Sequence, residues 1–383
     1  MAKIAIVFEE ARIGGPQIYM LTLAEHLSAC GYNPVFIFPK ENSADFAARC
    51  TELGFPFRTV RLSRITKEIR VAIRYVFCSW LEVLYLVLLL RREAPDLVYV
   101  AGGSWQFKAA LSAKLAGKRF VWHLNDTYVP KFIHFAFKLI ARFARGFVCA
   151  SGETLGYYKI DLPKGKPVKV ISSPIDLEKF SPSVRSATDF YFDESKFHIM
   201  TVANISPVKD LETLISVADL VAQDEKAIHF LVLGPVFSSQ LNYFNSISER
   251  IRKKDIKNVT FLGPKSYIVP YLHNSDVYLC TSRNESSPIS VWEAMATGLP
   301  LVSTRVGDIP NFAESEQAAL LADVGNAKLL AQHIVFLYRN PGYARLLRHR
   351  SRRVAESNFS AARCAEFHME FFTKILNASP RKS

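Results

Sequence analysis

Short, continuous apolar runs with β-strand character alternate with helical stretches along most of this chain. The alternation stops once, at a polar segment near the middle, and then restarts. The first series of strand-like runs lies at residues 3–8, 35–38, 97–100, 119–122, 147–150 and 168–171. Helical patterns separate several of them, at 17–29 (apolar Ile18, Leu21, Leu23, Ala24 and Leu27), 44–53, 67–91, 106–115 and 131–144. A strand that is apolar throughout must be covered on both faces, and helices between parallel strands supply that cover. The polar segment 178–196, which contains Pro182, reads as a linker. Beyond it, strand-like runs at 198–203, 228–233, 259–262, 277–281 and 301–304 alternate with helices such as 210–221, 241–254 and 290–296. The tail, 327–376, reads as helical with one break at 340–342. Two successive doubly wound α/β domains are therefore expected. In open parallel sheets, ligands bind beyond the carboxyl ends of the strands, so the expected active site is a cleft where two such edges face each other.

Length and composition agree with this reading. The 383 residues exceed one domain of about 150, and 49% apolar with 22% charged residues is globular usage, which excludes collagen-like or wholly disordered chains. The six cysteines form no C-x-x-C pair, so neither a disulfide framework nor a zinc ribbon is indicated, and a reducing compartment fits. The start lacks the basic and long apolar regions of a signal peptide. The apolar run 75–90, flanked by Arg74 and Arg91 and interrupted by Glu82, is shorter than the roughly 20 residues of a membrane span. It reads as a buried or interfacial helix. The expected location is cytoplasmic, with peripheral contact to the cytoplasmic membrane face.

Charge is uneven. Residues 1–182 carry a net +10 and residues 183–383 a net +3. An excess of this kind seeks an anionic partner, but the basic residues form no recognised nucleic-acid motif. Arg58, Arg61, Arg64, Lys67, Arg70 and Arg74 lead into the apolar helix, and Lys131, Lys138, Arg142 and Arg145 are interleaved with Phe132, Phe135, Phe137 and Phe143. That pattern suits an anionic membrane face. It equally suits helices that cover a sheet and extend their charges into water.

Three motifs could carry chemistry. Gly14-Gly15 sits between the first strand and first helix, where glycines and a helix N-terminus can approach a phosphate, although the G-x-G-x-x-G and P-loop patterns are absent. The stretch Asn204-Ile205-Ser206-Pro207-Val208-Lys209 occupies the corresponding turn of the second series. A lysine at a helix start opposes the helix dipole unless an anion lies nearby. The third is the segment 281–300, in which Glu285 and Glu293 are eight apart, with Ser287, Pro288 and Ile289 opening the helix between them. A carboxylate accepts two hydrogen bonds at once and so suits the adjacent hydroxyls of a ribose or hexose.

These residues resemble the retaining glycosyltransferases of family 4 (glycosyltransferase group 1), which have the GT-B fold. Glu285 to Glu293 reads like that family's E-x7-E block, followed by Glu-Ala-Met-Ala-x-Gly-x-Pro. Phe261-Leu262-Gly263 and Asn274-Ser275-Asp276-Val277 resemble its connectors. The resemblance implies two Rossmann-like domains facing across a cleft: an acceptor-side domain over 1–180, a nucleotide-sugar domain over 181–358, and a helix and tail over 359–383 returning to the first domain. It implies that Glu293 holds the donor ribose, Glu285 lies by the transferred sugar, and Lys209 with the Gly14-Gly15 backbone neutralises the diphosphate. His123 of His123-Leu124-Asn125-Asp126 matches the histidine near the reacting sugar. Asn204, Ser287, Pro288 and Ile289 complete the donor set. The implied donor is a UDP- or GDP-linked hexose, and the acceptor a glycan or lipid-linked molecule in surface polysaccharide or glycoconjugate synthesis. No cofactor and no metal are implied, since the chain has no D-x-D.

The chain departs from the pattern in three places. Asn204 stands where the family has an arginine, leaving Arg283 as a substitute cation; Ser286 replaces a glycine; Ser173-Pro174 replaces Asn-Gly in the connector. Two alternatives stay open on the same fold: a nucleotide-sugar 2-epimerase, which needs no acceptor, and a non-catalytic partner protein.

Overall fold

The computed structural model describes residues 2–63, 69–184 and 186–378, with side chains left out over 69–78. Arg64 and Lys67 of the basic lead-in thus lie outside the described residues, and Arg70 and Arg74 are described in their backbone alone. The chain forms two compact units, Met1–Pro174 with Ala361–Ser383, and Ile175–Ser360.

The first unit runs β1 (Lys3–Val7), α1 (Gly15–Ala29), β2 (Asn33–Pro39), α2 (Ala44–Glu52), β3 (Phe57–Val60), α3 (Ile69–Glu93) and β4 (Leu97–Val100). It continues with α4 (Phe107–Leu115), β5 (Phe120–Leu124), α5 (Lys131–Ala141), β6 (Gly146–Cys149), α6 (Gly152–Tyr158) and β7 (Val168–Val170). The second unit comprises β8 (Phe197–Val202), α7 (Leu211–Asp224), β9 (Ile228–Leu233), α8 (Leu241–Lys253), β10 (Val259–Gly263), α9 (Val269–His273) and β11 (Val277–Cys280). There follow α10 (Ile289–Ala296), β12 (Leu301–Thr304), α11 (Ile309–Ala313), β13 (Ala319–Ala322), α12 (Ala327–Arg339) and α13 (Pro341–Asn358). The last helix, α14 (Ala361–Asn377), belongs to the first unit.

Both sheets are parallel, and both are doubly wound. Their orders are β3-β2-β1-β4-β5-β6-β7 and β10-β9-β8-β11-β12-β13. Strands β4, β5, β6, β11 and β12 are buried at every residue, as sheets with helices on both faces require. The winding direction reverses between β1 and β4 in one sheet and between β8 and β11 in the other. These switch points are where loops diverge and leave room for a ligand.

Several local readings need correction. The segment 178–196 is not a free linker but part of the second unit. Arg352 donates to the carbonyls of Leu177 and Phe180, and Asp189 binds Lys265 and Tyr271. The helical tail breaks twice, the second time at Phe359-Ser360, because Phe359 leaves the helix to stack on Trp292 (centroids 4.1 Å apart). Immediately beyond that break the chain passes into the first unit. There α14 packs against Gly146, where a Cβ would lie 2.8 Å from Phe371 Cζ and 3.0 Å from Ile375 Cδ1. Helix α1 begins at Gly15 rather than Gln17, which makes Gly14 its N-cap.

Candidate functional site

The loops leaving β8 and β11 flank the switch point of the second sheet, and their backbones are fixed by close packing. Gly234, just after β9, has φ +152, and a Cβ there would fall 2.0 Å from the Ala203 carbonyl oxygen. Only glycine lets the two chains approach so closely. Ala203 N donates to Leu233 O (2.9 Å) and Ile205 N to Pro235 O (3.0 Å), which sets the backbone at Asn204. A single 3-10 turn, Pro207–Lys209, follows, and Asp210 then takes the left-handed conformation (φ 50) that starts α7. Asp210 tolerates it because its carboxylate is fully engaged locally, receiving Thr213 Oγ1 at 2.8 Å and Arg283 at 2.9 Å. These partners hold its carboxyl below the usual range although burial works the other way.

That reversal brings Lys209 to Glu285. The ammonium lies 2.5 Å from Glu285 Oε1, which also receives Ser282 Oγ at 2.7 Å. Burial acts against the lysine's charge, but the adjacent carboxylate more than offsets it and holds the Lys209 pKa above its ordinary value. The two loops are laced together by Thr281 Oγ1 to Lys209 O (2.9 Å) and Arg283 N to Val208 O (2.8 Å). On the far side Gly307 (φ +56) abuts the loop, and a Cβ there would lie 2.4 Å from Ser286 O, which accepts from Asp308 N at 3.0 Å. Lys209 and Glu285 are therefore presented by a rigid frame. Arg283 is engaged with Asp210 rather than aligned with Lys209.

Helix α10 starts after Pro288 and is buried from Val291 to Ala296. Trp292 Nε1 donates to Ser287 Oγ (3.0 Å), tying the helix to its entry loop. The first turn, from Ile289, carries amides with no intrahelical acceptor. Glu293 sits on this helix with 8% exposure. Burial pushes its carboxyl up to about 8, with only Lys179 drawing it back. Among the described residues no donor hydrogen-bonds it. The carboxyl is thus largely desolvated but still reaches the surface, with no protein donor among those residues in hydrogen-bond range.

In the first unit Gly14 and Gly15 open α1 without a side-chain cap and without an acidic residue in the first turn, so the helix itself supplies no negative group to its positive end. His123 is placed differently from the other candidates. It is wholly buried in β5, its ring lies 4.7 Å from that of Tyr19, and neither nitrogen has a hydrogen-bond partner. Burial, with His368 nearby, pushes its pKa down to about 3. As described it is a neutral core residue with no surface to offer a substrate.

Residues 188–356 match the family described as Glycosyl transferases group 1, and residues 13–179 match Glycosyltransferase Family 4. The chain belongs to the family 4 glycosyltransferases. It is 24% identical over 189 residues to N-acetyl-alpha-D-glucosaminyl L-malate synthase of Bacillus anthracis, covering 49% of this chain and 48% of that one. It is 28% identical over 171 residues to the amylovoran biosynthesis glycosyltransferase AmsK of Erwinia amylovora, covering 43% and 40%. The matches thus span about half the length of these relatives or less. The fold matches that of Anabaena Alr3699/HepE, solved in complex with UDP and glucose, with a TM-score of 0.82 at 17% identity over 97% of this chain and 100% of that one. Two Rossmann-like domains of the GT-B type are the architecture this family member has.

Within that family frame, the second unit brings Lys209 and Glu285 into contact and sets Asn204 in the same pair of loops. Ser287, Pro288, Ile289 and Glu293 share one helix and its entry. Gly14, Gly15 and His123 belong to the other unit. Sequence reading missed Gly234, Gly307, Asp210 and Lys179. The first two had a visible signal, a glycine placed just beyond a strand in Leu233-Gly234-Pro235 and Val306-Gly307-Asp308. Among the described residues no cluster of three or more His, Cys, Asp or Glu side chains could hold a metal ion.

Proposed function

We propose that this chain transfers a hexose, with retention, from a UDP- or GDP-linked donor to a glycan or lipid-linked acceptor. The activity belongs to surface polysaccharide or glycoconjugate synthesis. The observation that carries the reading is Glu293, a buried carboxyl without a donor on a rigid helix. Vicinal ribose hydroxyls would supply the two hydrogen bonds it lacks, and in doing so would favour its ionised form.

Departure of the diphosphate develops negative charge on the leaving oxygen and positive charge on the anomeric carbon. Lys209 supplies the cation for the leaving group. Its present partner Glu285 keeps it charged and aimed, and the free amides at the start of α10 add a dipole to the same end. As the C–O bond to the diphosphate breaks, the acceptor oxygen bonds the anomeric carbon from the same face, and its proton passes to the departing phosphate. Glu285 then serves the sugar electrostatically rather than as a nucleophile, and Lys209 with backbone dipoles does the work that a D-x-D-bound metal would otherwise do. The Gly14-Gly15 end of α1 offers a further anion-binding terminus.

Thermal shift with a panel of nucleoside diphosphates and nucleotide-sugars tests the reading. One nucleotide is expected to raise Tm, and its sugar conjugate to be consumed faster when an acceptor glycan is present. Absence of any stabilising nucleotide overturns it. Consumption independent of any acceptor points to the 2-epimerase instead.

A further inference from the structure

The helices on one face of the first sheet carry a surface that sugar transfer leaves unused. Helix α4 packs between α3 and α5, and together they cover the sheet with Leu86, Leu90, Ala109, Ala113, Phe137 and Ala141 turned inward. Their outer sides should be polar, and they are not. On α3, Trp80 (67% exposed), Leu84 and Leu88 form an i, i+4, i+8 stripe, with Leu81 and Tyr85 beside it. On α5, Phe132 (60%), Phe135 (65%) and Leu139 form a second stripe at i, i+3 and i+7. Eleven of the 21 large apolar side chains that are exposed among the described residues lie on these three helices and their flanking loops. A patch this concentrated marks an interaction surface rather than ordinary scatter.

Charge selects the partner. Residues 97–150 contain eight lysines and arginines against a single acid, Asp126, which is itself buried behind Ser104 and Tyr158. The acids elsewhere on this layer are consumed internally: Glu82 by Lys108 at 2.5 Å, Glu93 by Lys3 at 2.8 Å and Arg58 at 2.7 Å, Asp161 by Lys138 at 2.6 Å. Lys131, Arg91 and Arg92 stay exposed. Phe143 has Arg142 over its ring at 5.1 Å and Lys114 at 5.2 Å, an arrangement in which an aromatic side chain and two cations share one patch. A second copy of the chain would set this positive surface against itself. A bilayer with anionic headgroups neutralises it and accepts the rings and aliphatic chains at the acyl boundary. Among the described residues no helix is long and apolar enough to cross a membrane. We infer that the outer side of α3, α4 and α5 is a monotopic docking face for an anionic lipid bilayer.

The test needs no donor or acceptor, so its failure is separable from failure of the sugar-transfer reading. The full chain is mixed with phosphatidylcholine vesicles with and without phosphatidylglycerol, and with lipids brominated in the acyl chains. Co-sedimentation is expected only with the anionic vesicles. Tryptophan emission should be quenched by the bromines through Trp80 and through the half-buried Trp105, whose ring meets Phe132, because Trp122 and Trp292 are fully buried. Trp80→Phe should reduce the quenching, and Trp80→Phe with Trp105→Phe should abolish most of it, while binding persists. Phe132→Ser with Phe135→Ser, at exposed positions that leave the core intact, should weaken vesicle binding about tenfold or more. Absence of binding to phosphatidylglycerol vesicles overturns the inference. So does a concentration-dependent dimer in lipid-free buffer whose Trp80 is already shielded from aqueous iodide, which would make the face a chain–chain interface.

Discussion

Glu9 and Glu293 are both carboxylic acids buried beside a parallel sheet, one in each unit, and their surroundings are opposite. Glu9 follows β1. Its Oε1 accepts Ala109 N (3.0 Å) at the start of α4, while its own amide donates to Gln106 Oε1 (2.6 Å), and Gln106 in turn donates to Gly102 O (3.1 Å). The loops after β1 and β4 are thus tied together by their own side chains at the switch point of the first sheet. Burial still pushes the Glu9 carboxyl up to about 7, but backbone donors and Lys108 pull against it. Glu293 has no such partners and stands at about 8. Burial is common to both; the supply of donors is not. A carboxyl satisfied by a helix N-terminus is a structural cap, whereas one left without protein donors is, on our proposal, where a ligand's hydroxyls bind.

The sharpest break of this comparison is expected at the loops that serve the second site. Lys209→Ala should lower kcat by about 10²–10³-fold, the usual size of losing one charge-stabilising group at a leaving oxygen. Far-UV circular dichroism should stay unchanged, because Glu285 keeps Ser282 and the loop keeps its backbone ties. Steady-state kinetics with the matched donor would read the effect, and an unaltered kcat would remove Lys209 from the leaving-group role.

Next in size is Glu293→Ala, with an expected tenfold to hundredfold weakening of nucleotide binding, about what one hydrogen bond to a charged group contributes. Calorimetric titration reads it, and Glu9→Ala is the control that should leave nucleotide affinity unchanged. The same titration run against pH tests the protonation state. With the free carboxyl at about 8, binding that requires the ionised form should strengthen nearly tenfold per pH unit up to that value and flatten above it, with a proton released on binding. Glu293→Gln should abolish the slope.

How much of this was readable beforehand differs between backbone and side chains. The buried strands announced themselves, since β4, β5 and β11 are unbroken apolar runs that no exposed segment would tolerate. β3 was missed because its exposed Arg58 and Thr59 break the pattern at a sheet edge. The break at Phe359 was hidden for the reverse reason: an apolar residue in a helical context looks like more helix, and only its stack on Trp292 shows why it leaves. The Glu285 and Glu293 spacing was legible, but the Lys209–Glu285 contact depends on a left-handed Asp210 held by Arg283, a tertiary arrangement with no local signature. His123 illustrates the limit most plainly. Its position at the end of β5 was readable, while the Tyr19 ring that covers it comes from a helix far away in sequence.

The smallest expected effect is on stability, and there the two acids should respond with opposite sign. Glu9→Ala strands the Ala109 amide at a helix start, a loss of about 1–2 kcal/mol. Glu293→Ala removes a largely buried acid whose charge in the free protein is offset only by Lys179. At a pH above its native value of about 8 that acid must be either ionised in the interior or protonated against the solution, so its removal should raise Tm there. The sign follows from linkage. A carboxyl whose pKa rises from 4.5 in the unfolded chain to about 8 in the native state binds more protons when folded, so its contribution is full below 4.5 and is lost as pH climbs through 8. Chemical denaturation of both variants should show the Glu293→Ala gain growing with pH up to about 8. Glu9, raised to about 7, gives a slope of the same direction over a narrower window, so the contrast is read below pH 4.5, where Glu9→Ala alone should destabilise. Equal destabilisation by both substitutions would mean that Glu293 has structural partners of its own, and the contrast between the two carboxyls would no longer distinguish a cap from a binding site.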